Sequence, residues 1–469
     1  MKMVNELMFR EYDVRGLVGS ELDAAFYERL GKAFGTIVRE KTRVKNPRIA
    51  VGRDNRATSE EYQQAFERGL HAAGCDTTDL GMLTTPAAYY AGLHLAVEAV
   101  AAITASHNPP EYNGAKFRIG ETPVSGLDVK KTFFEGNFAT GSGKGSAQDV
   151  SGAYVKAIAL ECKASRPLKI VLDCGNGAAG SLATAALKAC GHAVTPMYCE
   201  PDYTYPHHQP NPVKPENYPD LIAAVKRGKA DLGIMLDGDG DRCCAVDEKG
   251  EIIWADSLLL LFARDYLKQQ PGATVIVEIK CSQAILDDIP LKGGTADLCR
   301  TGYPNVEQMM REKGARLGGE MSGHFYFFND AKRHDGSKWF SDAIYASCKL
   351  GQLVAGSGKT LSQMLEDAPK YYPSPEYRPQ VTGEEKNKEK IVATIAAEFK
   401  REKGTSGVKD VIDIDGARVL FNDGWGLIRY SQNEPQLSLR FEGKTPEATA
   451  RIREIFRKKL EGHPVDAKF

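Results

Sequence analysis

Three times along the chain a short β-branched apolar run stops at a polar or glycine-bearing turn and is followed by a helix-like stretch. These runs are Ile49-Ala-Val-Gly-Arg-Asp-Asn55, Ile170-Val-Leu-Asp-Cys-Gly-Asn-Gly177 and Val275-Ile-Val-Glu-Ile-Lys-Cys-Ser282. Buried strands that feed loops and then helices predict α/β units with mixed or parallel sheets, whose ligands collect at the carboxyl ends of the strands. Their spacing, about 100 residues or a little more, is the size of one domain and predicts three similar α/β domains in series.

Linker signals are Gly141-Ser-Gly-Lys-Gly-Ser-Ala147, the turn before Ile252 and the proline-rich Tyr372-Pro-Ser-Pro-Glu-Tyr-Arg-Pro379. They divide the chain at 1–148, 149–252, 253–368 and 369–469. The last part opens with the charged, helix-prone stretch Glu384 to Lys403. Val411-Ile-Asp-Ile-Asp-Gly416 and Leu437-Ser-Leu-Arg-Phe441 then alternate like half-exposed strands, and Thr445 to Leu460 reads as a closing helix, which makes a smaller α+β unit.

Composition narrows the class of function. A chain of 469 residues is too long for one core, and a net charge of -1 gives no electrostatic reason to expect nucleic acid or an anionic membrane as partner. The N-terminus reaches Arg10-Glu-Tyr-Asp13 without the apolar core of a signal peptide, and no apolar run approaches the roughly 18–20 residues of a span. A cytoplasmic protein is expected. Ten cysteines without C-x-x-C spacing suggest neither a disulfide framework nor zinc, and read as reduced, mostly buried small hydrophobes.

Two segments carry chemistry. Thr104-Ala-Ser-His-Asn-Pro109 places a hydroxyl nucleophile, Ser106, beside His107, after strand-like Val100-Ala-Ala-Ile103. The continuation Glu111-Tyr-Asn-Gly-Ala-Lys116 returns a lysine on what reads as the next strand of a hairpin, able to neutralise a phosphoryl group on Ser106. Asp237-Gly-Asp-Gly-Asp-Arg242 follows apolar Leu232-Gly-Ile-Met-Leu236; alternation along an extended loop would set three carboxylates on one side, costly unless a cation compensates them. An EF-hand fits at positions one, three, five and twelve (Glu248), but Arg242 stands where its glycine is required, so magnesium is expected. Gly319-Glu-Met-Ser-Gly-His324 supplies acceptors suited to sugar hydroxyls, and Arg429-Tyr-Ser-Gln-Asn-Glu-Pro435 donors suited to a phosphate. Ala355-Gly-Ser-Gly-Lys-Thr360 mimics a P-loop but has Leu353 at the first glycine and no strand before it.

Taken with Phe9-Arg-Glu-Tyr-Asp-Val-Arg-Gly16 and Glu278-Ile-Lys-Cys281, these segments resemble, in order over nearly the whole chain, the α-D-phosphohexomutase family and most closely its bacterial phosphomannomutase/phosphoglucomutase members. The resemblance implies three similar α/β domains with mixed sheets plus a smaller C-terminal α+β domain around a central cleft. It implies a phosphoserine at Ser106 and Mg²⁺ held by its phosphate with Asp237, Asp239 and Asp241. The reaction would move a phosphoryl group reversibly between the 1- and 6-positions of mannose or glucose phosphates through glucose 1,6-bisphosphate or mannose 1,6-bisphosphate.

By the same resemblance Arg15, Lys116 and His107 surround the reacting phosphate and proton. Glu320 and Ser322 meet sugar hydroxyls with Arg242 and His324 nearby, and Tyr12, Lys280, Arg429, Ser431 and Asn433 hold the distal phosphate. Two positions depart from the family: Asn433 stands where threonine is usual, and Tyr303 where mannose/glucose-type members carry histidine, so Tyr303 bears on substrate orientation. Partners are the hexose 1-phosphate and 6-phosphate substrates, and the protein is expected as a monomer or small homo-oligomer. A phosphoglucosamine mutase, a non-catalytic sugar-phosphate sensor and a simple phosphatase are the competing readings.

Overall fold

The computed structural model of the chain describes residues 5–328, 338–383, 387–431, 434–466 and 469. They form two compact units, Met1–Leu258 with Ser322–Glu366 and Leu259–Met321 with Asp367–Phe469. Among the described residues no helix is long and apolar enough to cross a membrane.

In the first unit the run at Ile49 becomes the strand Arg48–Arg53, with parallel neighbours Asp76–Met82 and Ala99–Ile103. Parallel neighbours need crossovers, which the helices Ser59–Ala72 and Thr85–His94 supply. Every position of Ala-Val-Ala-Ala-Ile at 99–103 is buried, as in a sheet covered on both faces. The strand Tyr112–Ile119 then returns antiparallel with Lys116 opposite Ala102, the hairpin expected from the sequence. Val14–Leu17 adds to its far side with Arg15 opposite Gly114, so Arg15 and Lys116 reach the same end of the sheet as the Ser106 loop.

A second sheet of the same unit centres on Lys169–Asp173, parallel to both Ala193–Met197 and Leu232–Leu236. Cys243–Asp247 runs back antiparallel to Leu232–Leu236, which makes the aspartate segment the turn of a hairpin. The helix Ala343–Ser357 belongs to this unit; Asp342 caps it by accepting from Tyr345 N at 2.8 Å and from the Tyr154 hydroxyl at 2.9 Å. The stretch read as a linker at 141–147 contributes an edge strand, Gly145–Ala147, parallel to Asp76–Met82. All three residues are exposed, so backbone pairing alone makes the strand and no apolar pattern marks it.

In the second unit the run at Val275 is the strand Thr274–Glu278, parallel to Thr295–Cys299 and Leu317–Gly319. The C-terminal portion is an antiparallel sheet in the order Tyr372–Pro373, Leu437–Gly443, Gly424–Tyr430, Ala417–Phe421, Val408–Ile412. Its helices are Asn387–Arg401 and Pro446–Leu460, and Ile395, Phe399, Ile452 and Phe456 share a core with Leu439 and Phe441. Two expectations change here. The proline-rich stretch joins the sheet, Tyr372 opposite Gly443, and Leu437–Gly443 is buried at every position instead of half-exposed. Its polar residues are buried because each has a partner: Ser438 donates to Glu376 at 2.6 Å, Arg440 to the Lys280 carbonyl at 2.5 Å, and Glu442 accepts from Trp425 Nε1 at 2.6 Å.

Candidate active site

Ser106 has a left-handed backbone with φ 53°, a conformation that costs an L-residue on the order of 1–2 kcal/mol unless its surroundings hold it. Its amide donates to Thr104 Oγ1 at 2.9 Å, and its carbonyl accepts from Arg56 at 3.0 Å. The result is a buried hydroxyl whose Oγ donates to Asp237 Oδ2 at 2.8 Å and lies 3.1 Å from His107 Nδ1. A hydroxyl has one proton; with it given to Asp237, Nδ1–H of His107 is the donor to Oγ. Burial and the cations Arg242, Arg15 and Lys116 hold His107 neutral, well below the ordinary histidine range.

The aspartate segment is a tight turn and not the extended loop expected. Asp237 N donates to the Arg242 carbonyl at 3.1 Å, and Gly240 adopts φ 73° at the bend. Convergence comes from the turn: the amides of Asp241 and Arg242 donate to Asp237 Oδ1, and one oxygen from each of Asp237, Asp239 and Asp241 lies within 4.8 Å of the others. All three carboxylates are buried. Lys116 Nζ bridges Asp239 Oδ2 at 2.7 Å and Asp241 Oδ2 at 2.5 Å, while Arg242 Nε donates to Asp237 Oδ2 at 3.0 Å and Thr85 Oγ1 to Asp239 Oδ2 at 2.6 Å.

Burial, with Asp241 and Asp239 beside it, pushes Asp237 up to about 7. Burial acts the same way on Asp239, but Lys116 and the Thr85 hydroxyl outweigh it and hold that group below the usual carboxylate range. Lys116 answers in kind: burial alone would lower it, and the two aspartates raise it. Asp239 Oδ1 and Asp241 Oδ1 are buried and accept no hydrogen bond from the described residues. Oxygens left this way are expensive, and an all-oxygen set with unfilled acceptors fits a hard divalent cation.

Arg15 donates from Nη1 to Asn108 Oδ1 at 2.6 Å and from Nε to Asp13 Oδ2 at 2.8 Å, which fixes its guanidinium against the serine loop. Tyr12 lies in the bend just before the Arg15 strand. His324 Nδ1 pairs with Ser341 Oγ, which donates to the Asp241 carbonyl, and burial with Arg242 and Lys116 pushes the imidazole down to about 3. Ser322 Oγ and Arg242 Nη2 are buried and have no hydrogen-bond partner among the described residues.

The second unit holds the remaining expected residues. Lys280 Nζ lies 3.7 Å from Glu376, whose charge it favours against burial, and Arg429 Nε donates to Asp415 Oδ2 at 3.0 Å. Asp415 also accepts from Thr301 N, and the Thr301 hydroxyl donates to Glu278, so the turn leading to Tyr303 is tied to the arginine. Tyr303 opens the helix Tyr303–Lys313, and Glu320 accepts from Gly302 N at 3.3 Å. Ser431 N donates to the Gln436 carbonyl at 2.9 Å; Asn433 lies outside the described residues.

Four residues of the first unit escaped the sequence reading. Arg56 donates to the carbonyls of Ser106, Asn108, Pro109 and Tyr112; Thr85 binds Asp239; Gln209 Nε2 donates to the His107 carbonyl at 2.6 Å; Ser341 links His324 to the aspartate turn. Only Arg56 carried a signal, since it closes the polar turn that ends the first apolar run.

A serine hydroxyl against three converging aspartates at the carboxyl ends of two α/β sheets marks a phosphoryl-transfer enzyme class. Four domain descriptions of one family match in order: phosphoglucomutase/phosphomannomutase alpha/beta/alpha domains I, II and III at residues 6–125, 152–250 and 254–372, and its C-terminal domain at 381–459. The chain belongs to the phosphoglucomutase/phosphomannomutase family. It is similar to the phosphomannomutase/phosphoglucomutase of Pseudomonas aeruginosa, 36% identical over 97% of this chain and 95% of that protein. The phosphoglucomutase of Neisseria gonorrhoeae is 37% identical over 99% of each. The crystal structure of a phosphoglucomutase/phosphomannomutase family protein from Burkholderia thailandensis superposes with TM-score 0.89 at 36% identity, covering 99% of this chain and 100% of that one.

Proposed function

We propose that this chain reversibly transfers a phosphoryl group between the 1- and 6-positions of mannose and glucose phosphates, through phosphorylated Ser106 and a hexose 1,6-bisphosphate. The observation that carries the reading is the buried Ser106 Oγ donating to Asp237 within a triad bridged by Lys116. A sugar hydroxyl oxygen attacks the phosphorus on Ser106; its O–P bond forms as the Oγ–P bond breaks, and the hydroxyl proton passes to a base. His107, 3.1 Å from Ser106 Oγ, and His324, 3.7 Å from Asp241, are the imidazoles placed to take it. Lys116 and Arg15 neutralise the phosphoryl oxygens, and the reverse step on the other phosphate restores phosphoserine.

Asp237, Asp239 and Asp241 would hold Mg²⁺, which supplies Lewis-acid neutralisation of phosphoryl charge. Glu320 and Ser322 are the sugar-hydroxyl partners, with Arg242, His324 and Tyr303 shaping orientation. Tyr12, Lys280, Arg429, Ser431 and Asn433 take the distal phosphate. Nucleophile and metal turn thus fall to 1–148 and 149–252, sugar and phosphate contacts mainly to 253–368 and 369–469, in a cytoplasmic monomer or small homo-oligomer.

The test is conversion of mannose 1-phosphate and glucose 1-phosphate to the 6-phosphates with Mg²⁺ and catalytic glucose 1,6-bisphosphate. The intact chain should turn over, and Ser106→Ala should lose more than about a thousandfold in kcat. Undiminished turnover by the variant would sink the phosphoserine route, and turnover confined to glucosamine 1-phosphate would replace the substrate assignment.

A further inference from the structure

Nine of the ten cysteines are buried, and Cys199 alone is partly open to solvent. Its sulfur lies 3.5 Å from that of Cys174. Asp173 stands opposite Met197 on parallel strands, so Cys174 lies one residue and Cys199 two residues beyond the last pair, with Tyr198 at φ 50° between Met197 and Cys199. The sulfur–sulfur separation is about 1.5 Å longer than a disulfide bond.

Reactive thiols are accessible, thiolate-prone and close to a resolving thiol, whereas buried thiols in apolar surroundings are inert. Cys199 is the one cysteine of the ten not fully buried and has a resolving thiol beside it, while its own thiol also donates to the Met197 carbonyl at 3.4 Å. The hydrogen bond it shares with Cys174 holds it below the ordinary thiol range against the effect of burial, while the same bond and burial raise Cys174 well above it. Cys190 is lowered in the same way by Cys348, but both of those residues are buried and out of reach of a dissolved oxidant.

We propose that Cys174 and Cys199 form a reversible intramolecular disulfide by exchange with a small-molecule disulfide, and that closing it disturbs the aspartate turn and slows the mutase. The Cys199 thiolate attacks one sulfur of the small disulfide, forming a mixed disulfide and releasing one small thiol. Cys174, losing its proton, attacks the Cys199 sulfur and releases the second. Two protein thiols are oxidised as one small disulfide is reduced to two thiols.

The route to the active site is short and made of backbone. The Cys174 carbonyl accepts from Gly177 N at 2.8 Å, and Ala178 N donates to the Gly238 carbonyl at 2.9 Å. A Cβ on Gly177 would come within 2.6 Å of that carbonyl oxygen, and one on Gly238 within 2.5 Å of the Ser106 carbonyl oxygen. Backbone thus meets backbone between the Cys174 turn and the segment carrying Asp237 and Asp239. Asp173, one residue earlier, lies 3.0 Å from His208 Nε2, whose neighbour Gln209 holds the His107 carbonyl.

The effect on turnover rests on the mutase reading; the disulfide does not, and the experiment separates them. The full-length chain is reduced, incubated with oxidised glutathione, alkylated and mapped by mass spectrometry, with turnover measured in parallel. Loss of two thiols, a mass lower by two hydrogens and a Cys174–Cys199 linked peptide are expected. Turnover should fall about tenfold or more and recover with dithiothreitol. Cys199→Ser, and separately Cys174→Ser, should turn over like the reduced chain and resist glutathione disulfide. A glutathione adduct persisting on Cys199, or both thiols remaining free, would overturn the disulfide. A linked peptide with unchanged turnover would overturn the coupling. A reduced chain inactive on hexose phosphates would count against the mutase reading and against the coupling built on it, while the peptide map still decides the bond.

Discussion

Arg56 directs Nη1 to the Pro109 and Tyr112 carbonyls at 2.7 and 2.9 Å, Nη2 to those of Ser106 and Asn108 at 3.0 and 2.6 Å, and Nε to Asp54 at 3.1 Å. A lysine has one nitrogen and cannot reproduce a planar fork, so Arg56→Lys should fold but leave the Ser106 loop under-held. We expect kcat to drop by roughly ten- to a hundredfold with KM little changed, measured by steady-state kinetics on glucose 1-phosphate; an unchanged kcat would rule out the clamp. The sequence exposed Ser106 and the three aspartates because their chemistry is compressed into short segments. It hinted only at Arg56 and concealed Thr85, Gln209 and Ser341, because all four act on residues 50 or more positions away, often through backbone carbonyls that any sequence carries.

Among the elements, Gly424–Tyr430 shows how far a strand's burial departs from its pattern. Trp425 is fully buried, donates to Glu442, and carries the Arg418 guanidinium 3.6 Å above its ring. Arg418 is itself buried and lowered to about 10 by desolvation, with Glu442 opposing, while its Nη1 also serves the carbonyls of Ile279 and Cys281. Trp425→Ala removes the ring and leaves two charged groups short of a partner. A loss of about 3–5 kcal/mol in urea unfolding is expected, and a change below about 1 kcal/mol would show that the site collapses without cost. The apolar runs at Ile49, Ile170 and Val275 announced their strands because both faces are buried. Leu437–Gly443 and Gly145–Ala147 depart from their sequence patterns for opposite reasons, polar residues buried by long-range partners in one and a strand with no buried side chain in the other.

For the molecule as a whole, the half-buried Glu67 and the buried Asp342 set one pH trend. Burial pushes Glu67 up to about 7, with the Gln63 amide opposing and Asp79 adding to the rise, and burial does the same to Asp342. A carboxyl whose folded value is raised binds its proton more tightly in the native state. Its contribution to stability therefore declines as pH climbs from its ordinary value to about 7 and is flat above. Glu67→Gln should raise the Tm relative to the parent at pH 8 and converge with it near pH 5; a difference that does not vary with pH would exclude Glu67 as a source of the trend. The first unit is also interrupted in sequence, since its residues run to Leu258 and resume at Ser322. During synthesis both of its sheets can form once Ile253 has emerged, yet Asp342 and the helix Ala343–Ser357 are still to be made. Tyr154, whose hydroxyl ends on Asp342, must wait with its part of the core uncovered while the intervening segment is translated. Nascent chains that end between 258 and 322 thus carry a part of the first unit's core that only later residues cover.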